Sequence, residues 1–188
     1  MTASPDTTLA TTTPGEQLTA WLASLVRSRE YGKLADLRRP GAETEARIMA
    51  GWMDPEHREV LELVAFLFAV YHRGSSRPSY GSGSFGTALR RIGSGGHRGP
   101  TDPGAARLME RITASRRPPA RHLQHAVARL RSGEQHPPAW AQLTDDLIRW
   151  NDRRSRVRYG WAVDFYEPPR RPSRRGSTAP TQPEDDAQ

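Results

Sequence analysis

The sequence predicts an all-α fold, a single-domain helical bundle. Three observations carry that reading. Apolar residues recur at the three- and four-residue spacing of a helix face. Cap-and-proline pairs mark where several segments begin. Nowhere does an alternation of apolar and polar residues persist with the period of a strand.

The elements follow in order. Thr13-Pro14-Gly15-Glu16 is a capping box with proline at the first helical position, and Leu18, Trp21, Leu22, Leu25 and Val26 continue it as one stripe. A short helical piece around Lys33–Leu37 ends at Arg38-Arg39-Pro40, and another is expected from Glu43 to Trp52. Asp54-Pro55-Glu56 opens the most apolar segment, Val60 to Tyr71, broken only by Glu62; a helix apolar nearly all round belongs at the centre of a bundle. A Gly/Ser loop over 73–84, a short helix from Phe85 to about Ile92 and a second Gly-rich loop over 93–101 come next. Asp102-Pro103 starts a helix lined by Leu108, Met109 and Ile112, which Arg117-Pro118-Pro119 stops. Leu123, Val127 and Leu130 line the following helix, and Pro137-Pro138 starts one bearing Trp140, Leu143, Leu147 and Trp150. The last carries Val157, Trp161 and Phe165 at spacing four; reading the preceding arginines into it puts Arg154 and Arg158 on one face.

Thr-rich residues 1–13, and residues 167–188 with their Pro, Arg, Ser and acidic composition, are expected to be disordered tails around a helical domain of 14–166. The first thirteen residues lack the basic and apolar regions of a secretory signal. Val60–Tyr71, at about a dozen residues, is too short to span a bilayer. A cytoplasmic protein with no membrane partner is the expectation.

The chain has 188 residues, no cysteine, a net charge of +7 and a pI of about 10.6. Absent cysteine excludes disulfides and thiolate metal sites. The charge is unevenly placed. Residues 14–70 hold 7 basic and 9 acidic side chains, residues 71–166 hold 17 and 7, and 167–188 hold 4 of each. The positive field therefore belongs to the second half of the domain, as a face for a polyanion requires. Lys33 is the only lysine; the remaining basic residues are arginines, whose planar fork suits phosphate.

Several motifs point elsewhere and fall short. Gly81-Ser82-Gly83-Ser84-Phe85-Gly86 matches GxGxxG, but a dinucleotide site needs a strand before it, and this one leaves a polar loop. A backbone contact to phosphate at the following helix start stays open. His122 and His125 lie three apart without a third ligand at a sensible spacing, and the other histidines suggest no triad. Asp145 and Asp146, adjacent on a helix, point about 100° apart and are expected to balance Arg149 rather than hold a metal. Trp21, Trp140, Trp150 and Trp161 fall on apolar stripes and are expected in the core. No catalytic constellation, metal or cofactor is expected. The arginine runs remain: Arg38-Arg39, Arg90-Arg91 and Arg153-Arg154-Ser155-Arg156-Val157-Arg158, the last with only Asp152 and Asp164 nearby. Such like charges repel one another unless a polyanion is present.

These segments resemble the CasB family, the small subunit of the type I-E CRISPR surveillance complex Cascade. The resemblance rests on Leu37-Arg38-Arg39, on Val60–Tyr71 leading to His72-Arg73, and on Ser84-Phe85-Gly86-Thr87-Ala88-Leu89-Arg90-Arg91. It continues through Leu143–Trp150, Val157-Arg158 and Trp161–Tyr166, so that it spans about residues 15–166. It implies an all-helical, non-enzymatic subunit present in two copies, with guide RNA, target DNA, the displaced strand and the backbone and large subunits of the complex as partners. By position it implies that Arg38, Arg39, Arg90, Arg91 and Arg158 face nucleic acid. Arg73, after the central helix, and Arg153, Arg154 and Arg156 of the last charge run complete that expected set. Protein that grips backbone while base pairing reads sequence fits an RNA-guided complex. The alternatives are a helix-turn-helix regulator, for which the loops at 73–84 and 93–101 are long, a nuclease, for which the basic half is poor in carboxylates, and a protein-interaction scaffold.

Overall fold

A computed structural model describes residues 12–39 and 41–167, so most of both expected tails, and Pro40, lie outside the described residues. The helices are α1 (Pro14–Arg27), α2 (Tyr31–Leu37), α3 (Glu45–Trp52), α4 (Arg58–Tyr71), α5 (Phe85–Leu89), α6 (Pro103–Ala114), α7 (Ala120–Ser132), α8 (Trp140–Ile148) and α9 (Val157–Tyr166). Single 3₁₀ turns at Pro55–His57 and Gly99–Thr101 lead toward α4 and α6. The fold is all-α, and no described helix is long and apolar enough to cross a membrane.

The segment expected at the centre is there. Leu61, Val64, Ala65, Leu67 and Phe68 of α4 are wholly buried, and α4 packs against α1, α2, α3, α7 and α8. Glu62, the one charge within Val60–Tyr71, is accommodated by pairing. Arg47 of α3 donates to Glu62 at 2.6 Å and Arg58 at 2.5 Å, and with Glu43 also reaching Arg58 at 3.0 Å the start of α3 is fastened to the first turns of α4. Burial alone pushes the Glu62 carboxyl upward, but the two arginines outweigh it and hold the group below the usual carboxylate range.

The expected starts also form. Thr13 and Glu16 complete the capping box of α1, and the Asp102 carboxylate accepts the Ala105 N–H at 2.6 Å to cap α6. α9 packs on α5 and α6, with Val157, Trp161 and Phe165 turned inward. Trp140, Trp150 and Trp161 are buried, and Trp21 is half-buried against the core.

Four local expectations change. α3 begins at Glu45, two residues late, because Thr44 rather than Glu43 supplies the cap, accepting the Arg47 N–H. α5 stops at Leu89 rather than Ile92. The loop 93–101 contains a small antiparallel hairpin, β1 (Gly93–Ser94) with β2 (His97–Arg98). Its turn places Gly95 at φ +59° and Gly96 at φ +89°, a left-handed pair that glycine adopts without strain. Finally, α9 begins at Val157 rather than near Arg153. Arg156 takes φ +48°, ψ +35°. Asp152 accepts the Arg154 N–H at 2.8 Å, and the Ser155 hydroxyl donates to the Arg149 and Asp152 carbonyls. These local bonds hold residues 151–156 as a turn, so Arg154 and Arg158 do not share a helix face.

Candidate nucleic-acid interface

The expected arginines fall into three groups. Arg38 caps the C-terminus of α2 and Arg73 follows the end of α4. The Arg38 guanidinium donates to the Ala69 carbonyl at 3.4 Å. Partial burial, and then the Arg73 charge, lower its pKa, which marks two cations held close without an anion to separate them. Arg131 of α7 joins them by donating to the Arg73 carbonyl at 3.1 Å. Arg39 is exposed and pairs with Asp36 at 3.3 Å.

Beneath this group lies His72, 1% exposed and stacked on Phe68 with ring centroids 3.9 Å apart. One ring nitrogen contacts the Phe68 carbonyl at 2.9 Å and the other accepts the Ser79 N–H at 2.8 Å, which ties the 73–84 loop to α4. Burial, aided by the Arg131 charge, pushes its pKa down to about 4, so the ring is neutral at physiological pH.

The second group ends α5. Arg90 donates to the Glu167 carbonyl, and Arg91 donates to the His136 and Pro137 carbonyls, both at 3.4 Å, and to Ser82 at 3.5 Å. Arg91 is therefore also a tie between two loops. The GxGxxG motif has a packing purpose here. A Cβ on Gly81 would lie 1.7 Å from the Pro137 oxygen, and one on Gly86 would lie 2.0 Å from that of Trp161. Only glycine lets these backbones approach, and at the start of α5 the Ser84 hydroxyl accepts the Thr87 N–H.

The third group is the turn before α9. Arg153, Arg154, Arg156 and Arg158 are all exposed. Arg156 lies over the Tyr159 ring at 4.4 Å, and Arg158 donates to the Ser115 carbonyl at 3.3 Å, next to Arg116 and Arg117. The one carboxylate within the turn, Asp152, takes the Arg154 amide described above.

A single electrostatic pattern unites the groups. Of the 17 arginines in 71–166, only Arg129 and Arg149 lie within 4.0 Å of a carboxylate among the described residues, those of Asp102 and Asp146. Arg90, Arg91, Arg107, Arg131 and Arg158 donate instead to neutral carbonyls. A carbonyl satisfies and orients an N–H but cancels no charge, so the positive field survives with its donors held in place.

The remaining motifs resolve structurally. Asp146 accepts the Trp161 indole N–H at 2.7 Å and pairs with Arg149 at 3.6 Å. Burial raises its pKa, against the pull of the Trp161 bond. Among the described residues no three His, Asp or Glu side chains come together as a metal site needs, His122 and His125 included.

Comparison with known proteins matches residues 33–166 to the family described as CRISPR-associated protein Cse2. The chain belongs to the CRISPR-associated Cse2 family. The Cse2 fold also resembles the crystal structure of CasB from Thermobifida fusca, with a TM-score of 0.61 and 18% identity, over 79% of this chain and 93% of that one. No curated protein sequence matches it. Cse2 membership supports assignment as a subunit of a CRISPR Cascade complex.

Two features of this Cse2 surface escape a reading of the sequence. Arg131 is one of three arginines of α7 and joins Arg38 and Arg73 only through tertiary packing. Tyr159 and Trp52 are large aromatics left 59% and 72% exposed, and neither belongs to an apolar stripe that would have drawn attention to it.

Proposed function

We propose that this Cse2-family chain is a non-catalytic Cascade subunit whose basic half holds the backbones of guide RNA, target DNA and the displaced strand, without sequence preference, and so stabilises the R-loop. The observation that carries the reading is the set of unneutralised, oriented arginines in residues 71–166. Arg39, Arg73, Arg153, Arg154, Arg156 and Arg158 are the exposed contacts. Arg38, Arg90 and Arg91 are half-buried contacts in this reading, with Arg91 also bracing its loops. Strand exchange in an RNA-guided complex is near balance, so a few phosphate contacts of this kind decide how far it runs. The backbone and large subunits of the complex and a second copy of this chain are its protein partners in this reading, and the cytoplasm is its setting.

Reconstitution tests it. A complex assembled without this subunit keeps its RNA-bound core but loses tight target binding and stable strand opening. Normal target affinity and opening in that preparation contradict the proposal. A sharp preference of the chain for one short duplex sequence favours a helix-turn-helix regulator instead.

A further inference from the structure

We propose that the groove between the end of α8 and the first turn of α9 is a subsite for one nucleotide of a single strand, its phosphate at the helix start and its base on Tyr159. This rests on the nucleic-acid reading above. It goes further, because it adds a base-recognising surface to an interface otherwise made of cations.

Three observations converge on the groove. Its walls include Trp150, Asn151, Arg153, Arg156, Arg158 and Tyr159. α9 begins there with no side-chain cap, so the N–H groups of its first turn lack the acceptor that a Ser, Thr or Asp would provide. The residue in the cap position is Arg156, in a left-handed conformation that brings a cation to the positive end of the helix dipole. Asp152 also lines the groove; its carboxylate is engaged by the Arg154 amide.

Uncapped N–H groups and three exposed arginines suit a phosphate. Tyr159 supplies the rest. The Arg156 guanidinium covers one face of its ring at 4.4 Å, and the residue remains 59% exposed. A base stacked on the open face completes an arginine–tyrosine–base sandwich. A paired base in a duplex has both faces occupied by its neighbours, so this site selects an unpaired strand.

Fluorescence anisotropy with the full chain at low salt tests the subsite, using an oligothymidylate, a duplex of equal length and an oligomer of abasic residues. Tyr159→Ala weakens the oligothymidylate by about 5- to 150-fold, the range for losing one stacked base, while duplex and abasic affinities stay at the wild-type level. Tyr159→Phe, which keeps the ring face, restores single-strand binding. Unchanged oligothymidylate affinity in Tyr159→Ala overturns the subsite and leaves the wider interface standing. Equal losses on all three probes also overturn it, since no base was then being read. If the wild-type chain binds none of the probes, the nucleic-acid reading fails and the subsite with it.

Discussion

Residues 14–70 carry 7 cationic side chains and residues 71–166 carry 17, yet 4 of the former and only 2 of the latter lie within 4.0 Å of a carboxylate among the described residues. In the first region charge is internal fastening. Arg47 and Arg58 close on Glu62, and Lys33 and Arg39 pair within one turn of their partners, Glu30 and Asp36. In the second, arginines bond to carbonyls or face solvent and keep their charge. The contrast teaches that net charge alone is a poor guide to a binding face. What matters is whether the folded chain has already answered each cation with an anion.

The largest effect expected from breaking this division is structural and falls in the second region. Trp161 is 1% exposed, packs against Phe85 and Trp150 at centroid distances of 5.0 and 5.1 Å, and donates to Asp146. Trp161→Ala costs about 3–5 kcal/mol of unfolding free energy, read by urea denaturation, because it leaves a cavity and removes the indole donor from the buried Asp146 carboxylate. A loss below 1 kcal/mol means the indole is not the packing centre of α9.

His72 gives the next largest effect, where the two regions meet. Its pKa is lower folded than unfolded, so the folded state resists protonation. The stability this confers is complete above about pH 6.5 and withdraws as pH falls toward 4, by about 3 kcal/mol in all. His72→Gln keeps a donor and an acceptor but cannot titrate, and its stability stays flatter between pH 6.5 and 4.5. An acid limb identical to that of wild type in the variant places the titration elsewhere.

Glu62→Gln sharpens the first side of the contrast. It weakens two charge-assisted bonds and costs about 1–3 kcal/mol near neutrality. Glu62 has a depressed pKa, so its contribution is present above the ordinary carboxylate value and disappears as pH falls through the folded one. The gap between variant and wild type therefore narrows below pH about 4.5. A gap that is constant with pH contradicts the pairing.

The parts of this molecule that are written locally are legible in its sequence. Thr13-Pro14 and Asp102-Pro103 mark helix starts because caps are nearest-neighbour chemistry, and Val60–Tyr71 reveals a central helix because burial on all sides leaves no polar face. The arginine runs are equally visible as charge. What the sequence hides depends on tertiary approach or on one residue's backbone. Gly81 and Gly86 look like a phosphate loop until Pro137 and Trp161 arrive from far along the chain. Arg156 interrupts a convincing helical run through a left-handed turn that carries no glycine to announce it. Arg131 becomes a neighbour of Arg38 and Arg73 only when α7 packs on α4.

The salt dependence of nucleic-acid binding tests the central claim most directly. If four to six phosphates are gripped, the wild-type slope of log K against log salt is about −3 to −5. Lys33→Ala, which removes a cation already answered by Glu30, leaves that slope in place. The triple variant Arg153→Ala, Arg156→Ala, Arg158→Ala flattens it by about 2 to 3 while melting as a folded protein. A wild-type slope near zero, or equal shifts from Lys33→Ala and the triple variant, contradicts the account.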